Sequence, residues 1–213
     1  MNEKFEDSFQ KWTQIACDEW GYDMVPDEYY EKVFNRLPHG LRCLLGYGIK
    51  SGLIKQNGKE FTLQGLDEKK GPYNWLSRDS CKKEPAVNWE YCVHVAEYVR
   101  LYELADRNKL HLTFEDDSMD IALYNNGTLI VCCEVKEKTS GLREILQGIR
   151  IVEQEIDFNV NDCQNDFQKE GKYIVKNRPK YFYLISIGTK LEFRVEYPKD
   201  KAFLLKDDFI PYI

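Results

Sequence analysis

Two apolar segments joined by a turn sequence constrain the fold of this chain more than any other feature. Residues 119–123 and 129–133 flank the Asn-Asn-Gly sequence at 125–127, a combination that predicts a β-hairpin. Charged residues interrupt the apolar pattern, with Asp120 in the first segment and Glu-Val-Lys at 134–136 after the second. Because an unpaired buried charge is costly, we expect these side chains to pair with one another or with a metal ion.

Strand geometry predicts that the charged side chains converge. Residues two apart share a face of a strand, so Glu134 and Lys136 project to the same side. If the hairpin pairs its strands, Asp120 lies near the Glu134 end. Two neighbouring carboxylates repel when both are ionised, and a divalent cation relieves that repulsion. The pattern therefore predicts a metal site, with a lysine placed to stabilise charge developing on a phosphoryl group.

Helical and strand patterns surround this hairpin. Residues 86–107 have the periodicity of a long amphipathic helix, and residues 110–114 that of a strand. Ser140 is the expected N-cap of a second helix over 141–155, and residues 181–187 are a further strand. The order helix, three strands, helix, strand predicts an α/β fold with a mixed sheet flanked by helices.

The N-terminal part follows another pattern. Helical periodicity over 4–20 and 27–36 precedes an apolar segment at 41–50 and then an Asn-Gly turn at 57–58 between alternating runs. This layout loosely resembles a winged-helix module. The basic residues that would then contact nucleic acid are Arg42, Lys50, Lys55 and Lys59. The alternative is a small helical cap packed on the main domain.

A domain boundary is predicted between these two patterns. Residues 65–85 are rich in glycine, proline and charge, which is typical of a linker or irregular connection. The predicted division is a helical, possible winged-helix region at 1–84 and an α/β domain at 85–213.

The charged hairpin resembles a known family. Asp120 and Glu134-Val135-Lys136, between a glutamate-bearing helix and a helix with a polar face, are similar to the PD-(D/E)XK nuclease superfamily. The resemblance covers about residues 86–190, and the layout looks most similar to archaeal-type Holliday junction resolvases. Met119 stands where the family name has proline. The resemblance implies a restriction-endonuclease-like α-β-β-β-α-β core.

The resemblance also implies roles for individual residues. Asp120, Glu134 and the Val135 carbonyl would hold the metal, and Lys136 would be the catalytic lysine. A glutamate on the first helix is expected to complete the site, with Glu97 favoured and Glu90 as the alternative. Residues on and before the later helix would contact substrate, namely Lys138, Arg143, Gln147 and Arg150.

The implied activity is hydrolysis of DNA, duplex or branched, by an endonuclease that uses Mg²⁺ or Mn²⁺ and forms a homodimer. An alternative function is a non-enzymatic winged-helix DNA-binding regulator, in which a degenerate nuclease fold serves as a dimerisation platform. A third is a nuclease or toxin acting on RNA.

Composition limits these functions. The chain of 213 residues has a net charge of −6, so it has no overall basic field and DNA must be bound by a local basic surface. Its apolar stretches are shorter than the roughly 20 residues that cross a bilayer. The first residues also lack the pattern of a signal peptide. These features predict no membrane segment and a cytoplasmic (intracellular) location.

Overall fold

The computed structural model describes residues 4–66, 71–79, 81–116, 119–154 and 166–207. It confirms the α/β class, with a mixed sheet flanked by helices. The chain divides into two compact units, one ending at Arg100 and the other beginning at Leu101. The division thus falls later than the boundary predicted near residue 84. In the described part of the chain, no helix has both the length and the apolar character needed to span a membrane.

The first unit begins with helices followed by an antiparallel hairpin. Helices α1, α2 and α3 span Phe5–Trp20, Asp27–Arg36 and His39–Ser51. Strands β1 (Ile54–Asn57) and β2 (Glu60–Leu63) pair across the predicted Asn-Gly turn. Gly58 in that turn has a φ of 62°, which glycine adopts without a steric cost. These helices and this hairpin agree with the predicted elements.

The segment predicted to be a linker contains strands. It holds β3 (Tyr73–Asn74), β4 (Leu76–Asp79) and β5 (Glu84–Val87). Trp75, between β3 and β4, is fully buried and stacks on Trp12 and Phe61, with ring centroids 5.6 and 4.1 Å away. The linker prediction is wrong because it rested on glycine, proline and charge, whereas buried aromatic rings hold this segment in the first unit.

Helix α4 spans Trp89–Asn108 and contains the division between the units. After it come strands β6 (His111–Asp116), β7 (Met119–Asn125), β8 (Thr128–Val135), β9 (Tyr181–Ser186), β10 (Thr189–Glu196) and β11 (Leu204–Lys206). Among the described residues these strands form one sheet in the order β11-β10-β9-β8-β7-β6. The β8–β9 pair is parallel, and the other neighbours are antiparallel.

Strands β7 and β8 form the hairpin that the sequence predicts. Asn126 and Gly127 have φ values of 47° and 77°, the left-handed conformations that a tight hairpin turn requires. In the register, Ala122 is opposite Cys132. Both side chains lie in the core beneath the helices of this unit.

Helices α5 (Thr139–Glu153) and α6 (Asp166–Asn177) lie in the connection between the parallel strands β8 and β9. The predicted apolar stripe of α5 is buried at Leu142, Ile149 and Val152. Ser140 is not the N-cap, however, because α5 begins two residues earlier than predicted and its N-cap is Lys138. The Thr139 hydroxyl lies 3.2 and 3.1 Å from the hydroxyls of Ser186 and Thr189, and these contacts anchor the helix start.

Helix α6 was not expected from the sequence, where its residues fall in a stretch interpreted as a basic connection before β9. Its buried residues Tyr173 and Ile174 belong to the same core as Ala122, Cys132 and Phe182. The second unit therefore has two helices between β8 and β9 in its described part, one more than the predicted order.

Candidate active site

Asp120 and Glu134 lie on the sheet face that carries Ala122 and Cys132. The antiparallel register sets Ala122 opposite Cys132 and ends with Ile121 opposite Cys133, so Asp120 and Glu134 are the next residues at that end of the hairpin. Glu134 is only 5 % exposed, and Asp120 is half-buried. The Asp120 Oδ2 atom accepts a hydrogen bond of 2.6 Å from the Val135 backbone N–H. The structure thus brings together two carboxylates predicted from the sequence, and a backbone donor orients one of them.

Lys136 is the cation of this group. Its Nζ lies 2.5 Å from Glu134 Oε1, and its side chain is 33 % exposed while that of Glu134 is 7 % exposed. The Lys136 backbone N–H donates to the Ile185 carbonyl, which continues the pairing of β8 with β9. A Cβ built on Gly141 would lie 3.4 Å from the Lys136 stem, so the lysine packs closely over the first turn of α5. The Lys136 ammonium therefore pairs with a buried carboxylate while its side chain remains partly exposed to solvent.

Burial raises the pKa of the Asp120 carboxyl above its usual value. The hydrogen bond from Val135 and the positive charge of Lys136 oppose this effect and lower the pKa. The carboxyl is thus held between an apolar environment and two groups that favour its ionised form. Such opposing influences on one titratable group are common at functional sites.

Glu170 on α6 is a third acidic residue of the region, and it was missed at the sequence level. Its side chain is 7 % exposed, and its Oε2 atom has no hydrogen-bond partner among the described residues. Burial first, and then the negative charges of Glu134 and Asp120, raise its pKa to about 9. The available signal was helical spacing, since Glu170 is three and four residues before the apolar pair Tyr173 and Ile174.

The chemistry of these donors fits a hard divalent cation. Among the described residues, no three histidine, cysteine, aspartate or glutamate side chains form a group that could hold a metal ion. Mg²⁺, however, is commonly bound by only one or two carboxylates, with water and phosphate oxygens completing its shell. Asp120 and Glu134 supply two carboxylates. Glu170 Oε2 on α6 is a further buried oxygen to which no described residue donates a hydrogen bond, but it does not form a group of three metal ligands with them.

The predicted helix glutamates lie in the first unit. Glu97, on α4, is 6 % exposed, and its carboxylate binds the Arg100 guanidinium, with 2.8 Å from Nε to Oε2. Glu90 is exposed in the first turn of the same helix. The structure therefore gives Glu97 a local cationic partner that the sequence pattern does not indicate.

The predicted substrate contacts fall into two groups. Lys138, Arg143 and Gln147 are exposed at the start of α5 and along it. Arg150 instead donates hydrogen bonds of 2.8 Å to Glu153 and 3.0 Å to the Leu205 carbonyl. The first three residues are accessible to a ligand, whereas Arg150 joins α5 to β11.

Comparison with models of protein families, with curated proteins and with solved structures finds no match to this chain. The resemblance to PD-(D/E)XK nucleases stays a prediction that rests on the residues of the hairpin.

Proposed function

We propose that this chain is a nuclease that hydrolyses DNA phosphodiester bonds with Mg²⁺ or Mn²⁺ as its cofactor. The observation that carries the proposal is Glu134, a carboxylate of 5 % exposure that is bound by Lys136 and is followed by Val135, whose backbone N–H binds Asp120. Ionisable groups concentrated on one face of an otherwise apolar sheet are typical of a functional site. The family resemblance supports the same activity, with a restriction-endonuclease-like core in the second unit.

Each residue of the site has a role in this proposal. A bound divalent cation would polarise a phosphate oxygen and activate water. Asp120, Glu134 and the Val135 carbonyl would hold that cation, and the Val135 N–H keeps the Asp120 carboxylate oriented. The Lys136 ammonium, one-third exposed, is placed to contact a phosphate from solvent and to stabilise its developing negative charge.

The exposed face of α5 is the proposed contact surface for the DNA backbone. Lys138 and Arg143 offer positive charge for phosphate oxygens, and Gln147 offers hydrogen-bond donors. A chain with a net charge of −6 needs such a local surface to approach DNA. A homodimer, as the resemblance implies, would place two sites on the two strands of a duplex or branched substrate.

The direct test is cleavage of plasmid, linear and branched DNA in Mg²⁺ or Mn²⁺. We expect Glu134→Gln and Lys136→Ala to reduce the cleavage rate by about 10²–10³-fold or more, because the first removes a proposed cation ligand and the second the proposed phosphate contact. A matched control is the pair Lys190 and Glu192 on β10, which also lie two residues apart and pair at 2.6 Å.

Glu192→Gln and Lys190→Ala should cleave at the wild-type rate. Cleavage that persists in both site variants, or is lost equally in the control variants, would overturn the proposed function. Circular dichroism of every variant checks that the fold is retained.

A second candidate is the non-enzymatic winged-helix DNA-binding regulator. The order α1-α2-α3 followed by the β1–β2 hairpin favours it, as does a cleft of about 540 Å³ lined in part by Lys4, His39 and Lys50. Two of the residues predicted to contact DNA form ion pairs within the protein, because Arg42 binds Glu6 and Lys59 binds Glu19.

Duplex binding measured by fluorescence anisotropy in EDTA separates the two functions. The regulator predicts salt-sensitive binding that survives Glu134→Gln and is weakened by Lys50→Glu. Lys32→Glu, at an exposed position on α2, is the control for a simple change of charge. Binding unaffected by Lys50→Glu would contradict a role for α3 in DNA contact.

A further inference from the structure

A cleft in the first unit combines positive charge with an exposed thiol. Its volume of about 540 Å³ is the size of a site for a small molecule. The residues that line it include Lys4, His39, Arg42, Cys43 and Lys50. The residues of the proposed nuclease site belong to the second unit, so the cleft shares none of them.

Cys43 and His39 are in contact on helix α3. They are four residues apart and therefore share a face of the helix. The Cys43 Sγ atom lies 3.4 Å from His39 Nε2, and both residues are exposed. An imidazole nitrogen in contact with a thiol can accept its proton, which leaves the sulfur as a nucleophile. The cleft therefore presents a thiol together with a base for its proton.

The charge of the cleft determines which reagents are drawn to this thiol. Glu6, the acidic residue of the described lining, is paired with Arg42. Lys4 and Lys50, at exposed positions, make the lining net positive, although the whole chain has a net charge of −6. A cleft lined by one sign of charge concentrates small molecules of the opposite sign. The expected reagent is therefore small and negatively charged.

We propose that Cys43 is a site of reversible mixed-disulfide formation with small disulfides that carry carboxylate groups. His39 accepts the Cys43 proton, and the sulfur then attacks one sulfur of the reagent. A new S–S bond forms at Cys43 as the S–S bond of the reagent breaks, and the leaving thiolate takes the proton from His39. Cys43 is oxidised and half of the reagent is reduced to a thiol, so no other oxidant takes part.

The test compares Cys43 with Cys81, which is also exposed and is followed by two lysines but is not among the described residues that line the cleft. The full chain is incubated with glutathione disulfide at neutral pH, and mass spectrometry of its peptides measures the mixed disulfide at each cysteine over time. We expect Cys43 to react at least about tenfold faster than Cys81. With cystamine, a positively charged disulfide, the ratio of the two rates should fall by about tenfold or more.

Lysine variants test the role of the charge. Lys4→Gln and Lys50→Gln should each slow the reaction of Cys43 with glutathione disulfide by about threefold or more, and leave Cys81 unchanged. Lys32→Gln is the matched control, because Lys32 is exposed on α2 and is not among the described residues of the lining. It should react as the wild type does. Circular dichroism of each variant checks that the fold is retained.

The histidine has its own test, and the outcomes are distinct. His39→Gln should slow Cys43 at least about tenfold with both disulfides, because the proton acceptor is lost. Equal rates at Cys43 and Cys81 with glutathione disulfide, or the same ratio of rates with cystamine, would overturn the proposal. If the rates are equal and duplex DNA slows alkylation of Cys43 by iodoacetamide, the cleft is a DNA contact instead. The proposed nuclease activity is not affected by any of these results.

Discussion

Two buried glutamates on neighbouring helices have opposite surroundings. Glu153, at the end of α5, is 1 % exposed, and its oxygens accept from Arg150 Nη1 at 2.8 Å and from the Leu205 backbone N–H at 3.3 Å. Glu170, on α6, is 7 % exposed and has an oxygen without a partner among the described residues. The first carboxylate stabilises the fold by joining α5 to β11, whereas the burial of the second costs free energy that no described hydrogen bond to its Oε2 atom offsets.

The largest expected effect is a dependence of stability on pH that belongs mainly to Glu170. Its pKa rises from an ordinary 4.5 to about 9 on folding. Because the folded protein then binds this proton more tightly than the unfolded chain does, the contribution of Glu170 to the free energy of unfolding is complete below pH 4.5. It is lost as the pH rises through 9. A tenfold change in proton affinity corresponds to about 1.4 kcal/mol, so the free energy of unfolding should fall by several kcal/mol across this range.

Urea denaturation in EDTA at a series of pH values measures this fall. Glu170→Gln should remove most of it, whereas Glu153→Gln should keep it. Asp120, whose pKa is also raised, contributes with the same sign and remains in both variants. If the free energy of unfolding of the wild type depended on pH in the same way as that of Glu170→Gln, the proposed difference between Glu170 and Glu153 would be wrong.

The next effect concerns Glu153. We expect Glu153→Gln to lower the free energy of unfolding at neutral pH by about 2 kcal/mol, because Arg150 loses its ion pair with Glu153 and the Leu205 N–H loses a charged acceptor. Glu170→Gln at the same pH should leave stability equal or higher. Equal losses in the two variants would show that both glutamates are structural.

Gly171→Ala tests the close packing that positions Glu170. The new Cβ would meet the stiff, β-branched Val152 at 2.8 Å, and we expect a loss of about 1–2 kcal/mol in unfolding free energy. Gly40→Ala on α3 is the control, because a Cβ there meets nothing within 4 Å. A neutral Gly171→Ala would mean that α6 can move away from α5 at little cost.

The smallest expected effect is at the tyrosine pair that links α6 to β7. Tyr124→Phe removes one hydroxyl of a 3.3 Å contact, and we expect about 0.5–1 kcal/mol of destabilisation by urea denaturation. A loss several times larger would show that this contact, and not the packing at Gly171, holds α6 in place.

Local sequence patterns predicted the parts of the fold that local physics determines. The β7–β8 hairpin follows from a turn whose Asn126 and Gly127 adopt left-handed conformations, and the strand pairing then brings Asp120 and Glu134 to the same end of the hairpin. The stripe of α5 is equally local, since its period of three to four residues appears in the sequence.

What the sequence could not predict depends on contacts between distant residues. The segment 65–85 is rich in glycine and proline, yet Trp75 within it is buried because its ring stacks on Trp12 and Phe61. The burial of Glu170 depends on the packing of α6 against α5 and β7. The structural role of Arg150 depends on β11, which supplies the Leu205 carbonyl. The residues of the candidate site that lie on the β7–β8 hairpin could thus be predicted from the sequence, whereas the contacts with α5, α6 and β11 could not.

The parallel pairing of β8 with β9 has a consequence for how the second unit folds. Strands β6 to β8 and strands β9 to β11 are two antiparallel meanders of short sequence separation, and among the described strands they meet only at this pair. Closing a pair across a long intervening segment is slow, because the entropy of that loop is lost before its contacts form. Glu134 and Val135 pair with Leu184 and Ile185 in this seam. The candidate site is therefore expected to be assembled late, after each half of the sheet has formed on its own.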